Sequence, residues 1–501
     1  MNQQGRMTFK GTAAGLVCCA IIVAFLNLYM NFLASRSSSS FQIDLSADGD
    51  VVAFHQFEFP GAAAGASSVA DRRRRGSLSK AKLDWAHGHE SSESCMGLCP
   101  GSGSLFTQAD YVKTLIHARM KNLASNSFRV EIGKNEVGNV YSSPNNLLNA
   151  SYWESVWRLS ASWVSPRKIS APNDASYANL TYAVNMARVL RAATPTKGTQ
   201  LKSMLMLEGG QWAVWKPKLL ERSDILEGGP TDGPDRHNGE IAAFYIGHLL
   251  GLDRTPFVAG RILNIRTELY DVADKPLKDT FFVHNQIKRF CFFGKCMYCT
   301  PSIAACADDK ERLEGALVLW LPSAFANLTR IRSPWARTYD PNRLATWQTN
   351  TSFCRIVVGH ELFGKSPIFL DLMETAVFDF LIGNADRHRL EFFKDRIPKS
   401  ILLLDNGKSF GNPRVDELTI LAPLYQCCRI RPRLYKLLLQ YSEINFGALV
   451  NDRFLRHDPL YPILTDAHLE AVNRRLRKVL AVLASCIEVH GEDTVLVDDG
   501  Y

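Results

Sequence analysis

The sequence lacks a basic stripe interleaved with aromatic residues, a pattern that marks many nucleic-acid-binding proteins. Its 58 Lys and Arg residues exceed its 50 Asp and Glu residues by a net charge of +8, and part of this excess lies in the local run Arg72–Arg75. We therefore expect no nucleic-acid partner. An internal repeat is also missing, so we expect one contiguous folded region from about residue 150 to the C-terminus.

Charge is missing from the 25 residues between Lys10 and Arg36, and the part from Leu16 to Leu33 is strongly apolar. A helix of this length crosses a hydrocarbon layer of ~30 Å. Arg6 and Lys10 precede the stretch, which favours a cytoplasmic N-terminus and a luminal body. A cleaved signal peptide is the alternative, but no clear small-residue cleavage site ends the stretch, so an uncleaved anchor is the favoured interpretation.

Glycosylation sequons and cysteines also fit a luminal protein. Sequons of the form N-x-S/T occur at Asn149, Asn179, Asn327 and Asn350. Most of the 12 cysteines lie outside the apolar stretch, and an oxidising compartment would pair them. Four of them have the spacing C-x4-C-x2-C-x6-C, namely Cys291, Cys296, Cys299 and Cys306. Zinc is an alternative occupant of this cluster, but the location favours disulfides, whose connectivity the spacing leaves open.

Residues 34–104 are rich in Ser, Gly and Ala, and few apolar residues recur in them periodically. Such a segment buries too little to order itself, so we expect a low-complexity luminal stem. The run Arg72–Arg75 within it is either a protease processing site or a solvated basic tract. From about Leu105 the pattern changes, and Tyr111, Leu115 and Met120 predict an amphipathic helix in a helical N-terminal extension.

The rest of the chain predicts an ordered series of elements around three charged residues, Lys216, Asp386 and Asp405. The series is a hairpin over Leu201–Leu207 and Trp212–Trp215 with a tight Gly-Gly turn, a helix over Gly239–Leu250, an apolar segment over Leu313–Leu321, a helix over Pro367–Ile382 and a short buried strand over Ile401–Leu404. Lys216 ends the hairpin, Asp386 follows the second helix and Asp405 follows the last strand.

A protein-kinase-like fold places a strand lysine, a helix acid, a proton-accepting Asp and a metal-binding Asp in this order. Phosphoryl transfer needs these groups because the enzyme must position the phosphates and neutralise their charge. Standard protein-kinase motifs are otherwise missing, since no G-x-G-x-x-G-x-V precedes Lys216 and no H-R-D occurs. Alone, Asp405-Asn406-Gly407 would be a turn, Lys216 a solvated edge residue and Asp386 part of a surface cluster. The ordered set favours an enzyme.

Several stretches resemble the secretory-pathway kinases that include the Golgi casein kinase and the glycosaminoglycan xylosylkinase. They are KGTQLK (197–202), KPK (216–218), DRHNGEIAAF (235–244), CFFGKCMYC (291–299), EGALVLWLP (314–322), FDFLIGNADRH (378–388), LLLDNGKSFGNP (402–413), DELTILAPLYQCCRIR (416–431) and DTVLVDD (493–499). NADRH, DNGKSFGNP and APLYQCC together most resemble the xylosylkinase branch.

The resemblance implies an α+β, atypical two-lobed protein-kinase-like fold. The expected organisation is a cytoplasmic tail (1–10), a transmembrane signal anchor (11–33), a luminal stem (34–104), a helical extension (105–196) and a kinase-like catalytic domain (197–501). It also implies a single-pass type II protein of the Golgi membrane with its catalytic domain in the lumen. A homodimer and a complex with a pseudokinase are the candidate assemblies.

Roles for individual residues also follow from the resemblance. Asp386 would be the catalytic acid, and Asp405 would bind manganese, or magnesium in its place, together with the ATP phosphates. Asp235 would be a second metal ligand, and Glu240 is the candidate partner of Lys216, with metal binding as the alternative. Further ATP contacts would come from Gln200, Lys216, Glu391 and the adenine-facing connection Val318, Leu319, Trp320 and Leu321.

Two positions of this chain depart from the family pattern. The family usually has D-R-H-H-Y-E where this chain has D-R-H-R-L-E, so that Arg389 and Leu390 replace a His and a Tyr. A substrate contact or a loop brace at these positions would be altered, and Arg389 would be able to bind an anion.

The resemblance also implies four disulfide pairs. They are Cys291–Cys306, Cys296–Cys299, Cys354–Cys427 and Cys428–Cys486, with Cys95 and Cys99 unassigned.

The function expected from the resemblance is phosphate transfer from ATP to the 2-hydroxyl of xylose in the galactosyl-xylose linkage region of proteoglycans. The first alternative is a secretory-pathway protein kinase acting on Ser. The second is a pseudokinase that regulates an active relative. Retention of Lys216, Asp235, Asp386 and Asp405 disfavours the pseudokinase, whereas Arg389 and Leu390 keep it open.

Overall fold

The structure is a computed structural model that describes residues 95–101, 107–123, 150–171, 175–195, 198–340 and 342–501. The predicted cytoplasmic tail, the predicted transmembrane anchor, most of the stem with Arg72–Arg75, and the sequon at Asn149 lie outside these residues. Within the part that is described, no helix combines the length and the apolar character needed to cross a bilayer.

The described residues of the predicted N-terminal extension form three helices and one strand. The helices are α1 (Gln108–Leu123), α2 (Ala150–Ser162) and α3 (Ala175–Met186), and the strand is β1 (Val189–Ala193). Arg261, buried beneath α3, donates to the carbonyl oxygens of Val184 and Ala187 at 2.7 and 2.8 Å. Because β1 pairs with the following strand, the main sheet begins before residue 197, the expected start of the catalytic domain.

The main sheet has five antiparallel strands in the order β1-β2-β3-β8-β4. The strands after β1 are β2 (Ser203–Leu207), β3 (Trp212–Pro217), β4 (Val258–Asn264), β5 (Phe281–Val283), β6 (Phe290–Phe292), β7 (Ala305–Cys306), β8 (Arg312–Leu319), β9 (Leu328–Arg332) and β10 (Arg389–Phe393). The predicted hairpin is confirmed, since Met206 pairs with Trp212 across a turn in which Gly209 and Gly210 have φ of 82° and 84°. Helix α4 (His237–Leu249) packs on β4 and β8, and we call the sheet and α4 the N-terminal lobe.

Between β4 and β8 the chain forms a π-helical turn (Ile265–Tyr270), helix α5 (Lys275–Lys278) and the small sheet β5-β6-β7. Four cysteines in this insertion form the disulfides Cys291–Cys306 and Cys296–Cys299, as the resemblance implies, so the zinc alternative does not apply. Stacked rings support the insertion, with Phe292 lying 6.1 Å from Trp215 of β3 and 5.0 Å from Phe281 between ring centroids.

The C-terminal lobe is mainly helical. Its helices are α6 (Thr346–Thr349), α7 (Phe353–Val358), α8 (Ile368–Ile382), α9 (Ala422–Cys427), α10 (Pro432–Ser442), α11 (Phe446–Arg453), α12 (Asp466–His490) and α13 (Glu492–Val495). Helix α8 is apolar nearly all round and lies buried in the centre of the lobe. Its sequence prediction is confirmed, and the helix ends at Gly383, whose φ of 72° forms a left-handed C-cap.

The predicted strand over Ile401–Leu404 is wrong. The segment is buried as expected, but its ladder is limited to one bridge, between Leu402 and Glu391 of β10. On the other side, the backbone N–H of Leu403 donates to the carbonyl of Arg254 in a connecting segment. The segment is therefore extended and buried but has no second strand along which a ladder continues.

Disulfides also link helices within the C-terminal lobe. Cys354–Cys427 links α7 to α9, and Cys428–Cys486 links the end of α9 to α12, as the resemblance implies. Cys95 and Cys99, unassigned from the sequence, pair with each other. Leu98 between them is buried, and its N–H donates to the carbonyl of Tyr425 at 2.8 Å, so this short piece of the predicted stem packs on the lobe.

A buried cluster of charges fixes α8 to its surroundings. The Asp371 carboxylate on α8 lies 2.9 Å from Arg431 Nη1 and 3.2 Å from Arg254 Nη1. Glu374, one turn on, lies 2.7 Å from Arg431 and 3.0 Å from Arg254. Burial alone raises the pKa of Asp371, but the guanidinium groups of Arg254 and Arg431 outweigh it and hold that pKa below its ordinary value.

Replacement of Asp371 by Asn therefore leaves two buried guanidinium groups short of one negative charge. We expect Asp371→Asn to lower the free energy of unfolding by about 3–5 kcal/mol, measured by denaturant titration with the disulfides intact. Asp308→Asn, which breaks the surface pair of Asp308 with Arg312, is the control and should change stability little. Equal, small effects of the two substitutions would contradict the role assigned to the buried cluster.

Candidate active site

A cleft of about 430 Å³ opens between the sheet of the N-terminal lobe and the loops of the C-terminal lobe. This volume is in the range of small-molecule sites. Every residue predicted from the sequence to be catalytic, to bind ATP, to ligate the metal or to pair with the lysine lines it: Gln200, Lys216, Asp235, Glu240, Val318, Leu319, Trp320, Leu321, Asp386, Glu391 and Asp405. The structure thus brings together residues that are spread over about 200 positions of the chain.

Lys216 stands at the centre of a charged cluster deep in the cleft. It lies on β3, where its neighbour Trp215 packs into the core, and 7% of its side chain is exposed. Its Nζ lies 3.0 Å from Asp235 Oδ2, 2.5 Å from Glu240 Oε1 and 2.5 Å from Asp405 Oδ1. Burial alone lowers the pKa of Lys216, but the three carboxylates outweigh it and raise that pKa well above its ordinary value.

The three carboxylates around Lys216 differ in their environment. Glu240 lies inside α4, and burial raises its pKa even though Lys216 acts in the opposite direction. Asp405 has 67% of its side chain exposed to the cleft, and the Lys216 ammonium holds its pKa far below the ordinary value. Asp405 therefore stays a carboxylate that faces an incoming ligand, whereas Glu240 is enclosed behind the lysine.

A glycine allows Asp235 and Asp405 to approach each other. Asp405 has φ of 57°, and the chain then turns back so that the carbonyl of Gly407 accepts from the N–H of Arg236 at 2.7 Å. A Cβ at Gly407 would lie 2.7 Å from the carboxyl carbon of Asp235, closer than real contacts allow. The Asp-Asn-Gly sequence thus brings the Asp235 and Asp405 carboxylates to the same lysine.

Asp386 lies in the loop that follows α8. Its N–H donates to Asn384 Oδ1 at 3.0 Å, which holds the loop after the Gly383 cap. The next residue, Arg387, donates to both carboxylate oxygens of Asp379 at 2.8 Å and to Asn406 Oδ1 at 2.6 Å. Arg387 also donates to the carbonyl of Leu404. One buried guanidinium therefore ties the Asp386 loop to the Asp405 loop.

Strands β9 and β10 form the neighbouring wall of the cleft. Glu391 pairs with Arg330 at 3.2 Å, and burial raises the pKa of Glu391 despite this pair. Leu390, one of the two departures from the family pattern, is 1% exposed and packs in the core. The other departure, Arg389, lines the cleft directly opposite Arg332 in the strand register.

The apolar wall of the cleft is made by residues of the main sheet, of the segment after β8, of β9 and of the buried segment 401–404. They include Val214, Val258, Val318, Leu319, Leu321, Leu328 and Leu404. Such a surface fits one flat, largely apolar ring, whereas the charged side chains described above, which line the same cleft, fit phosphates and a cation. A ligand with an aromatic base at one end and phosphates at the other matches this division.

Sequence reasoning missed several residues of the site. Lys202, Arg330, Arg387 and Lys408 line the cleft. Lys202 and Lys408 belong to the motifs KGTQLK and DNGKSFGNP, so the motifs were a signal for them. Tyr339, whose hydroxyl donates to Asp386 Oδ1, lies in an irregular loop and had no such signal.

Two of the carboxylates that line the cleft, those of the buried Asp235 and the exposed Asp405, converge on one point that already holds a positive charge, the Lys216 ammonium. Carboxylate oxygens are the donors that Mn²⁺ and Mg²⁺ prefer. Over the described ranges, however, no group of three or more His, Cys, Asp or Glu side chains is arranged to hold a metal ion. A metal at this point would take its remaining ligands from elsewhere.

The chain is similar to several known proteins. The family described as Fam20C: Golgi casein kinase, C-terminal, Fam20, matches residues 155–495. Human glycosaminoglycan xylosylkinase is 44% identical over 347 residues, which cover 69% of this chain and 84% of that protein. Human extracellular serine/threonine protein kinase FAM20C is 37% identical over 64% of this chain and 56% of its own length.

Solved structures agree with the fold. Hydra Fam20 with sugar has a TM-score of 0.67 at 40% identity, covering 71% of this chain and 100% of that one. The Golgi casein kinase with Mn/ADP bound has a TM-score of 0.64 at 28% identity, covering 82% of this chain and 96% of that one. The mixed α/β, kinase-like fold predicted from the sequence is confirmed, and this chain belongs to the Fam20 family.

Proposed function

We propose that this protein transfers the γ-phosphoryl group of ATP to the 2-hydroxyl of xylose in the galactosyl-xylose linkage region of proteoglycans. The observation that carries the proposal is the convergence of Lys216, Asp405 and Asp386 in one cleft. The choice of acceptor is supported by the human relative named glycosaminoglycan xylosylkinase and by the hydra structure solved with a sugar.

ATP would lie with its base against the apolar wall, near Val318–Leu321, and with its phosphates toward Lys216. Asp235 and Asp405 would hold Mn²⁺, the ion present in the related Golgi casein kinase structure, or Mg²⁺. The bound ion supplies positive charge that offsets the charge of the phosphates during transfer. Lys216, kept protonated by its three carboxylates, would donate to the phosphate oxygens. Glu240 would hold Lys216 from behind, and Gln200 and Glu391 would contact the nucleotide.

Asp386 would orient the acceptor. Its carboxylate would accept a hydrogen bond from the 2-hydroxyl of xylose and then the proton, as the hydroxyl oxygen bonds to the γ-phosphorus and ADP leaves. The Arg387 contacts to Asp379, Leu404 and Asn406 would keep Asp386 at a set distance from Asp405. Positioning of this kind accounts for a large part of catalysis in phosphoryl transfer.

The protein-kinase alternative is supported by the match to FAM20C, at 37% identity, but the xylosylkinase match is stronger at 44%.

The pseudokinase alternative is supported by a relative named pseudokinase FAM20A, which is 35% identical over 60% of this chain and 57% of its own length. The charged cluster of Lys216, Asp235, Glu240 and Asp405 is complete in this chain, and the cluster together with Asp386 argues for an active enzyme.

We also propose that the catalytic domain lies in the Golgi lumen behind an N-terminal anchor. Five disulfides among the described residues require an oxidising compartment during folding.

Two of the three sequons within the described ranges, Asn179 and Asn327, are exposed, whereas Asn350 is half-buried. Asn327 also lines the cleft and donates to Asp395 Oδ2 at 3.1 Å, so a glycan there would crowd the nucleotide. Asn179 is therefore the better candidate for modification.

The acceptor is tested with the purified luminal protein, Mn²⁺ and radiolabelled ATP. We expect label on a galactosyl-β-xyloside and none on an acidic Ser peptide, and we expect Asp386→Asn to lower the rate of sugar labelling by roughly 10²–10⁴-fold because the proton acceptor is lost. Asp452→Asn, an exposed change on α11, is the control and should leave the rate unchanged. Label on the peptide but not on the sugar would refute the acceptor assignment.

The assignment of Asp405 is tested by binding rather than turnover. Mn²⁺-ATP at about 100 times its Kd should stabilise the wild-type protein by ~2.7 kcal/mol, seen as a rise in Tm. Asp405→Asn should abolish this rise because the charge that would hold the ion is lost, whereas Asp386→Asn should retain it because Asp386 serves the acceptor. If Asp405→Asn keeps the full rise, the nucleotide is held in some other way.

A further inference from the structure

One contact of Asp386 has no part in the proposed mechanism. The hydroxyl of Tyr339 donates a hydrogen bond to Asp386 Oδ1, the same carboxylate that would accept the acceptor hydroxyl. The Tyr339 ring also meets the edge of His388, with ring centroids 5.7 Å apart and planes at 86°. Tyr339 is 53% exposed, so it contacts Asp386 from the protein surface rather than from the core.

The loop that carries Tyr339 is fixed on both sides of Asp386. Before the loop, the N–H of Ser333 donates to the carbonyl of His388 at 2.9 Å. Within it, Arg337 donates to the carbonyl of Ala385 at 3.3 Å and to Thr419 Oγ1 at 2.6 Å. The base of the loop is therefore attached to the residue before Asp386 and to the second residue after it, and Tyr339 extends from that base.

Tyr339 itself is held less firmly than the loop base. Its φ of 60° is in the left-handed region, which is uncommon for a bulky side chain and persists when surrounding contacts impose it. The Tyr339 side chain has a hydrogen bond to Asp386 and a ring contact with His388, and the charges of Arg332 and Arg337 also act on it. Loss of the Asp386 contact would therefore release the ring, while Arg337 and Ser333 would keep the loop base in place.

The chemistry of this contact matches that of a bound acceptor. A hydroxyl donating to the Asp386 carboxylate is the arrangement required of the 2-hydroxyl of xylose before transfer. Burial and the negative charge of Asp386 both raise the pKa of Tyr339 well above its ordinary value, so the phenol keeps its proton and remains a donor at neutral pH. Oδ1 of Asp386 is thus occupied as long as Tyr339 is in place.

We propose that Tyr339 occupies the acceptor-hydroxyl position on Asp386 until the acceptor displaces it. This proposal rests on the proposed function of Asp386. Its consequence is that water, the smallest competing acceptor, must compete with Tyr339 for Oδ1 of Asp386, so that hydrolysis of ATP in the absence of the acceptor is slowed. The acceptor must then replace the Tyr339 hydrogen bond, which weakens its binding by the energy of that bond.

Tyr339→Phe tests the proposal because it removes the hydroxyl and keeps the ring. A hydrogen bond contributes about 0.5–1.5 kcal/mol net, so we expect acceptor-free ATP hydrolysis to rise about 2- to 10-fold and the KM for the galactosyl-xyloside to fall by a similar factor, with kcat little changed. Tyr461→Phe, which alters a tyrosine of similar exposure (49%) outside the cleft, should change neither quantity. The double variant Tyr339→Phe/Asp386→Asn should lose the gain in hydrolysis.

Two results would overturn the proposal. A fall in kcat with unchanged KM and unchanged ATP hydrolysis would make Tyr339 a residue that positions Asp386 for transfer. Unchanged kinetics in all three measurements would mean that the hydrogen bond has no role. The hydrolysis assay contains no acceptor, so it decides the role of Tyr339 independently of the sugar. If the wild-type protein fails to label the xyloside, that result counts against the proposed function and not against the role of Tyr339. Equal Tm values for wild type and Tyr339→Phe verify that both are folded.

Discussion

The Lys216 ammonium is the interaction on which the site depends, because it lies within 3.0 Å of three carboxylates that would otherwise repel each other. Asp235 and Glu240 lie at the start of α4, and Asp405 lies in the loop after the buried segment 401–404, so this single charge on β3 joins three segments of the chain. Burial of a charge is costly unless it is paired, and the three carboxylates supply more negative charge than is needed to pair the one ammonium group. The excess negative charge faces the cleft and is suited to a cation bound with phosphates.

A second buried cation, Arg387, connects this cluster to the loop that carries Asp386. Arg387 is bound by Asp379 of α8 and reaches both the Leu404 carbonyl and Asn406, so the loop that carries Asp386 cannot move independently of the loop that carries Asp405. Burial lowers the pKa of Arg387, but Asp379 outweighs it and raises that pKa, so the link is permanently charged. The Asp405 loop and the Asp386 loop are thereby held in a fixed relationship, and Tyr339 contacts Asp386 from the exposed side.

Much of this could be predicted because phosphoryl transfer imposes an order on the chain. The hairpin lysine, the α4 acid and the two aspartates were identified from that order and from short motifs, and all of them line the cleft. The strand expected over 401–404 was wrong because burial and apolar sequence do not reveal whether a neighbouring strand exists to pair with. Strand β1 was overlooked since five residues inside a helical stretch carry little periodic signal. Tyr339 meets Asp386 across 47 positions of irregular chain, a contact that local pattern does not encode.

The central claim is that Lys216, Asp405 and Asp386 act on one nucleotide and one sugar. A crystal structure of the Asp386→Asn luminal protein with Mn²⁺, ATP and a galactosyl-xyloside tests it most directly. The account predicts phosphates between Lys216 and Asp405, and the xylose 2-hydroxyl facing residue 386 in line with the γ-phosphorus. Phosphates bound away from Lys216, or a xylose that presents another hydroxyl to residue 386, would contradict it.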